Sequence, residues 1–202
     1  MAKSLLRSTS LVSANTLISR LLGFVRDMVF AHYFGAAGSF DAFLVAFKIP
    51  QFMRRLFAEG AFSQAFVPVL SDYRQRHSHA EVKIFINDMM GTMTSILFLF
   101  VVVAIFLSPL VVVIFAPGFS HGDPRFILAI HMLRITFPYL LFISLTALCA
   151  AVLNTYDSFG VPAFAPALLN ITFIFTAIFV VPYFKTPVYA LSWGLFFAGI
   201  IQ

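Results

Sequence analysis

Four stretches of the chain contain no Lys, Arg, Asp or Glu: residues 89–122, 135–156, 158–184 and 186–202. Each is close to or above the ~20 apolar residues that one helix needs to cross the hydrocarbon core of a bilayer. A closed barrel, the other spanning solution, would read as short alternating segments, and these runs are continuous. With two further apolar stretches near the N-terminus, the pattern predicts six helices at roughly 4–33, 39–72, 83–115, 125–154, 159–182 and 187–202. The connectors are short and marked by turn residues such as Gly35-Ala-Ala-Gly38, Ala116-Pro-Gly118 and His121-Gly-Asp-Pro124. The expectation is an all-α membrane protein, one bundle, with no soluble domain. Pro50, Pro68, Pro109, Pro138, Pro162 and Pro166 lie in or at the edges of the spans, where they are expected to kink helices.

The first two segments break the apolar rule. At 100° per residue, Asn15, Thr16, Ser19, Arg20, Gly23, Arg26 and Asp27 share one arc of the first helix, and the apolar residues take the rest. Ser19 and Gly23 also have the small-xxx-small spacing that lets helices approach closely. In the second segment Asp41, Lys48, Phe52, Arg55, Glu59 and Ser63 project in nearly one direction if the helix is unbroken. Arg54 points elsewhere, but a kink at Pro50 would shift the phase, so the wheel does not choose between Arg54 and Arg55.

An ionised side chain at mid-bilayer costs about 2.5–3.5 kcal/mol on insertion scales, so these charges should line a wet cavity. Arg20, Arg26, Lys48, Arg54 and Arg55 outnumber Asp27, Asp41 and Glu59, which leaves a surplus of positive charge suited to an anion. The alternative is a set of ion pairs that pin helices together, with Asp27 or Asp41 each holding an arginine. For the arginines, planar guanidinium groups that match phosphate oxygens bidentately favour ligand contact.

Composition supports the membrane class: 61% of residues are hydrophobic, 10% are charged and mean hydropathy is +0.97. Lys3 and Arg7 precede an apolar run as in a signal peptide, but Arg20, Arg26 and Asp27 interrupt that run and it continues past Phe30. Cys149 stands alone in an apolar segment and is expected to pack. His77-Ser-His79 reads as a solvated turn rather than a metal site. Tyr156, Tyr183 and Trp193 read as interfacial anchors. If the N-terminus is cytoplasmic, inside loops hold Lys3, Arg7, Arg74, Arg76 and Lys83, against Arg125 and Lys185 outside, so inside-N is favoured. The last segment stops in apolar sequence, which suggests the front part of a longer chain.

Several longer motifs resemble one family. Arg20-Leu-Leu-Gly-Phe-Val-Arg26-Asp27, Asp41-Ala-Phe-Leu-Val-Ala-Phe-Lys48-Ile-Pro50 and Arg54-Arg-Leu-Phe-Ala-Glu59-Gly-Ala-Phe-Ser63-Gln-Ala-Phe-Val-Pro68 look like the opening of the MurJ (MviN) family. The similarity continues through Ala116-Pro-Gly-Phe119, Arg134-Ile-Thr-Phe-Pro-Tyr139 and Pro162-Ala-Phe-Ala-Pro-Ala-Leu-Leu-Asn170. The resemblance implies the fold of the MOP transporter superfamily, two six-helix lobes around an alternating-access cavity, with residues 1–202 as the N-terminal lobe. It further implies a flippase in the bacterial inner membrane. Such a protein moves lipid II, the undecaprenyl-pyrophosphate-linked peptidoglycan precursor, from the cytoplasmic to the periplasmic leaflet.

In that family Arg20, Arg26 and Arg54 match the expected pyrophosphate contacts. Asp27, Asp41, Arg55 and Glu59 match positions thought to gate or support the cavity, to which Lys48 and Ser19 are added from the helical wheel. The expected partners are lipid II, membrane lipids and the C-terminal lobe of the same polypeptide; no nucleic acid, cofactor, metal or covalent chemistry is expected. Two related readings are a flippase for another pyrophosphate-linked oligosaccharide and a drug or cation antiporter of the same superfamily. The basic surplus argues against cation export. A membrane enzyme acting on a lipid pyrophosphate would be expected to show clustered acids for Mg²⁺ or a nucleophile beside a base, and no such cluster is evident.

Overall fold

A computed structural model describes residues 2–35, 37–55, 63–119 and 122–202, apart from the side chains of 2–9 and 63. Within these the chain forms helices and connectors, with α1 at Ala2–Phe34, α2 at Gly38–Arg54, α3 at Ser63–Arg76 and α4 at His79–Phe106. They are followed by α5 at Ser108–Phe115, α6 at Pro124–Thr155, α7 at Gly160–Phe175 and α8 at Pro187–Ile201. A π-helical turn, Thr176–Val180, and a 3-10 turn, Val181–Tyr183, extend α7.

The boundaries follow from local chemistry. Gly35, at φ 52°, takes the left-handed conformation that ends α1, and its amide donates to the Ala31 carbonyl at 3.0 Å. Ser78 caps α4 through a capping box: the Glu81 amide donates to the Ser78 hydroxyl, and the Glu81 carboxylate accepts from the Ser78 amide at 2.8 Å. His77 stacks on Tyr73 with ring centres 3.9 Å apart, so the His77-Ser-His79 stretch is a capped turn. Asp123 caps α6, with Pro124 in the first turn, where a missing N–H costs nothing. Pro109 separates α4 from α5, since it can neither donate to the Ile105 carbonyl nor avoid its bulk. Pro50, Pro68, Pro138 and Pro166 lie inside continuous helices.

Among the described residues, three helical stretches are long and apolar enough to cross a membrane: His79–Phe106, Pro124–Thr155 and Gly160–Tyr183. The six predicted segments find helices at each position, but not six long spans. The second predicted segment is α2 and α3 with residues 56–62 outside the described ones, and α8 has only 15 residues. On α4 the large apolar side chains Ile96, Leu99 and Phe106 are more than half exposed, as expected of a face turned to acyl chains.

The core is built around α6, on which α2, α3, α4, α5 and α8 all pack. Small residues permit the close approach: Ala42 and Ala46 on α2, Ala129 on α6, and Ala190 and Ala198 on α8 are completely buried. Thr136, also buried, donates its hydroxyl to the Ala46 carbonyl at 2.9 Å and so joins α6 to α2 in the middle of the bundle. A ring cluster of Phe30, Phe34, Phe40, Phe43, Phe47 and Phe173 closes the junction of α1, α2 and α7, with centroid separations of 5.3 Å for Phe34–Phe40 and 5.4 Å for Phe30–Phe173. A smaller core of Phe66, Leu70, Val82, Leu148 and Ala151 joins α3 and α4 to the other end of α6. There Arg74 donates to the Thr155 carbonyl and lies 4.2 Å from the Tyr156 ring. Cys149 is exposed rather than packed, on the wall of an open pocket between α6, α7 and α8.

Gly194 on α8 faces Thr176 so closely that an added Cβ would lie 2.7 Å from the Thr176 hydroxyl oxygen. Gly194→Ala should therefore lower unfolding stability in detergent by about 1–3 kcal/mol, the usual cost of overpacking. Thr176→Ala in the same chain should recover part of that loss in a thermal-unfolding series.

Candidate functional site

The polar arc on α1 divides in two. Asn15, Ser19, Gly23 and Arg26 face α7, whereas Thr16, Arg20 and Asp27 are exposed. The Asn15 side-chain amide donates to the Gly160 carbonyl at 3.0 Å, at the start of α7. Further along, the Asn170 amide donates to the Ser19 carbonyl at 3.0 Å, and its oxygen accepts from the Arg26 guanidinium at 2.9 Å. Gly23 leaves room for this side chain, since a Cβ there would already touch the Asn170 nitrogen at 3.6 Å. The Ser19/Gly23 pair is thus a close helix contact, as its spacing suggested, and Ser19 takes part through its backbone carbonyl.

Arg26 is held on two sides. Its Nη2 and Nε donate to the Asp27 carboxylate at 2.7 and 3.0 Å, and its guanidinium carbon lies 5.9 Å from the Phe30 ring centre. The Arg26 side chain is 21% exposed against 66% for Asp27, so the carboxylate is the outer partner and the cation reaches inward. Arg20 is exposed and makes no hydrogen bond or ion pair among the described residues; the same holds for Lys48 and Arg55.

Arg54 is half-buried and lines a cavity of about 350 Å³ together with Gln51, Tyr139, Thr146, Asn154 and Pro166. α2, α6 and α7 supply most of this wall. Arg55, the next residue, is exposed, so of the two it is Arg54 that faces the cavity. Glu59 lies outside the described residues, as does the Ser63 side chain. α7 carries Pro166 and Leu169 on the cavity wall and Asn170 against α1, and so joins the Arg26 and Arg54 neighbourhoods.

Asp41 belongs to a different group at the other end of α2. Its carboxylate lies 3.9 Å from Arg125, whose guanidinium is held chiefly by Asp123 at 2.6 Å and stacks 5.0 Å from the Phe119 ring. The Arg125 stem crosses Gly38, where a Cβ would come within 3.1 Å. Asp41 therefore helps clasp the starts of α2 and α6, and the ion-pair reading of the acids describes it well. Asp27 also has an arginine partner, its own neighbour. Arg134, in the middle of the α6 sequence, donates to the buried Ser108 hydroxyl at 2.9 Å and makes no contact with Arg26 or Arg54.

Sequence reading placed Asn15 on the polar arc but missed the neutral partners Gln51, Asn154 and Asn170. The available signal was an amide inside an apolar run, which in lipid requires a hydrogen-bonding partner. Among the described residues no group of His, Cys, Asp and Glu is arranged to hold a metal ion.

Residues 30–202 match the family model described as "Lipid II flippase MurJ". The chain is 47% identical over 98% of its length to the lipid II flippase MurJ of Burkholderia cenocepacia, and 45% identical over 93% to a probable lipid II flippase MurJ of Haemophilus influenzae. It spans 39% and 38% of those two relatives. Among solved structures it resembles "Lipid II flippase MurJ, inward closed conformation", with a TM-score of 0.77 and 34% identity over 95% of this chain and 40% of that one.

The Asp123 carboxylate, just before α6, is held below the ordinary carboxylate range first by the Arg125 guanidinium and then by the Arg125 backbone amide. A lowered folded-state pKa gives stability that is present above the unfolded value and lost as pH falls through the folded one. Asp123→Asn should lower the melting temperature at neutral pH, and the gap to wild type should close on acidification below about pH 4. Asp41→Asn should change it by less, given its longer and more exposed pairing.

Proposed function

Because the chain belongs to the MurJ lipid II flippase family, we propose that it is the N-terminal lobe of a lipid II flippase. That lobe offers guanidinium groups to the pyrophosphate of the undecaprenyl-linked precursor. The single observation that carries the reading is Arg26, which reaches inward with one carboxylate and one neutral amide around it and retains hydrogen-bonding capacity for an anion.

Arg20 and Arg54 are the other proposed pyrophosphate contacts. Arg20 brings a cation without a carboxylate partner among the described residues, and Arg54 supplies one to a cavity wall that also bears Gln51 and Asn154. A pyrophosphate cannot enter hydrocarbon unaided, so the protein must give the head a cationic, hydrated surface while the polyprenyl tail stays in lipid. Asp27, Asp41, Lys48, Arg55 and Glu59 are assigned supporting and gating roles. Asp27 tethers Arg26, and Asp41 is held in the clasp with Arg125 and Asp123.

The proposed setting is the bacterial inner membrane, crossed six times within residues 1–202, with a cytoplasmic N-terminus and with movement of lipid II towards the periplasmic leaflet. The second lobe of the same polypeptide completes the cavity. Rocking of the lobes exposes the site first to one side and then to the other, driven by differential binding in the two states. The names of the relatives favour lipid II over the other pyrophosphate-linked and drug substrates.

The test is depletion and rescue with the full-length gene at matched expression. Arg20→Ala, Arg26→Ala and Arg54→Ala should each reduce lipid II translocation on the order of tenfold to a hundredfold, as expected for loss of a charge-assisted contact. Membrane insertion should be unaffected. Normal translocation by all three variants would remove these residues from the site.

A further inference from the structure

Among the described residues, Asn170 is the buried amide that touches both the backbone of α1 and a proposed substrate-binding cation. It is 6% exposed, accepts from Arg26 at 2.9 Å and donates to the Ser19 carbonyl at 3.0 Å. Its orientation is fixed by chemistry: turned over, its NH₂ would face a guanidinium that can only donate, and its oxygen would face a carbonyl that can only accept. We infer that Asn170 is a positioning residue, which sets the direction of the Arg26 guanidinium and so aims its remaining N–H groups at a pyrophosphate.

A neutral acceptor is the chemical requirement here. Asp27 already supplies Arg26 with one carboxylate at 2.7 Å. A second carboxylate at position 170 would give the Arg26–Asp27 pair a net negative charge and repel an anion. It would also lose the bond to the Ser19 carbonyl, since an ionised carboxylate cannot donate. An aliphatic side chain would leave both the Arg26 N–H and the approach of α1 to α7 unsupported. An amide holds the cation without cancelling it. This role rests on the pyrophosphate reading given above, because a positioned cation matters only if an anion comes to it.

The same chemistry provides a test that packing alone would not reproduce. In an Asn170→Asp variant the ionised carboxylate has only acceptors; burial and the nearby Asp27 raise the pH at which it ionises, whereas the Arg26 guanidinium lowers it. In full-length protein reconstituted in nanodiscs with purified lipid II, Asn170→Asp should bind more weakly than wild type at neutral pH, because the ionised form adds negative charge and loses the bond to the Ser19 carbonyl. Asn170→Leu should weaken binding on the order of tenfold, the equivalent of one lost charge-assisted hydrogen bond. In an Arg26→Ala background the same substitution should change binding less than about twofold, because the two act as one unit.

A thermal-unfolding double-mutant cycle without lipid II reads the Asn170–Arg26 coupling independently of any substrate. Equal losses for Asn170→Leu in both backgrounds, or undiminished lipid II binding by Asn170→Asp at neutral pH, would overturn the positioning role and leave the pyrophosphate site standing. Coupling in unfolding together with undiminished lipid II binding by Arg26→Ala would instead overturn the pyrophosphate reading, and the role built on it.

Discussion

The structure depends on how a guanidinium group is kept at a helix contact among largely apolar neighbours. A buried cation without partners is costly, and a surplus of negative charge around it would repel an anion. Arg26 occupies the middle ground, with an outer carboxylate on one side, a buried amide on the other and an aromatic ring beneath. The rest of α1 follows from this arrangement. Gly23 is small where Asn170 must enter, Ser19 lends its carbonyl, and Asn15 repeats the amide-to-carbonyl link earlier in the helix. Helices in a bilayer gain little from apolar contact with each other, so small residues and a few hydrogen bonds determine which neighbours they keep.

The remaining charges sort by their surroundings. Asp41, Arg125 and Asp123 form a clasp between the starts of α2 and α6, with much of its surface open to solvent. Arg74 fastens the other end of the bundle through the Thr155 carbonyl and the Tyr156 ring. Arg54 lies apart from both, on a cavity wall among neutral amides and hydroxyls. The clasp of Asp41, Arg125 and Asp123 thus joins helix starts, whereas Arg26 is held by a carboxylate and an amide together and Arg54 lines a cavity wall.

Much of this was legible in the sequence for a physical reason: charge is conspicuous against an apolar background. Arg20, Arg26 and Asp27 interrupt a hydrophobic run, Ser78 and Glu81 announce a helix start, and Asp123-Pro124 another. The role of Asn170 was not legible, because the amide carries no charge to mark it as a partner for a cation and Arg26 lies 144 residues away. The Arg54/Arg55 choice could not be made from a helical wheel, since adjacent residues differ by one angular step and Pro50 left the phase open; tertiary placement decides it. Cys149 was misjudged because an apolar setting in the sequence does not reveal which side of a helix its neighbours leave bare. Among the described residues three long apolar spans are found; α1 is long enough but carries Arg20, Arg26 and Asp27, and the second predicted segment includes residues 56–62, which lie outside the described ones.

The seating of α1 has a mechanical consequence. Its principal partner is α7, and contact with α2 is made by the phenylalanine rings near its C-terminal end. Such a helix has a fulcrum at the ring cluster and a long arm beyond it. Asn15 lies about 30 Å from Phe34 at 1.5 Å per residue, so a tilt of about 10° moves that end by roughly 5 Å. Since Asn15 and Asn170 stitch this arm to α7 along its length, the two helices tilt as a pair, and Arg26, close to the pivot, is carried through a much smaller arc than the far end.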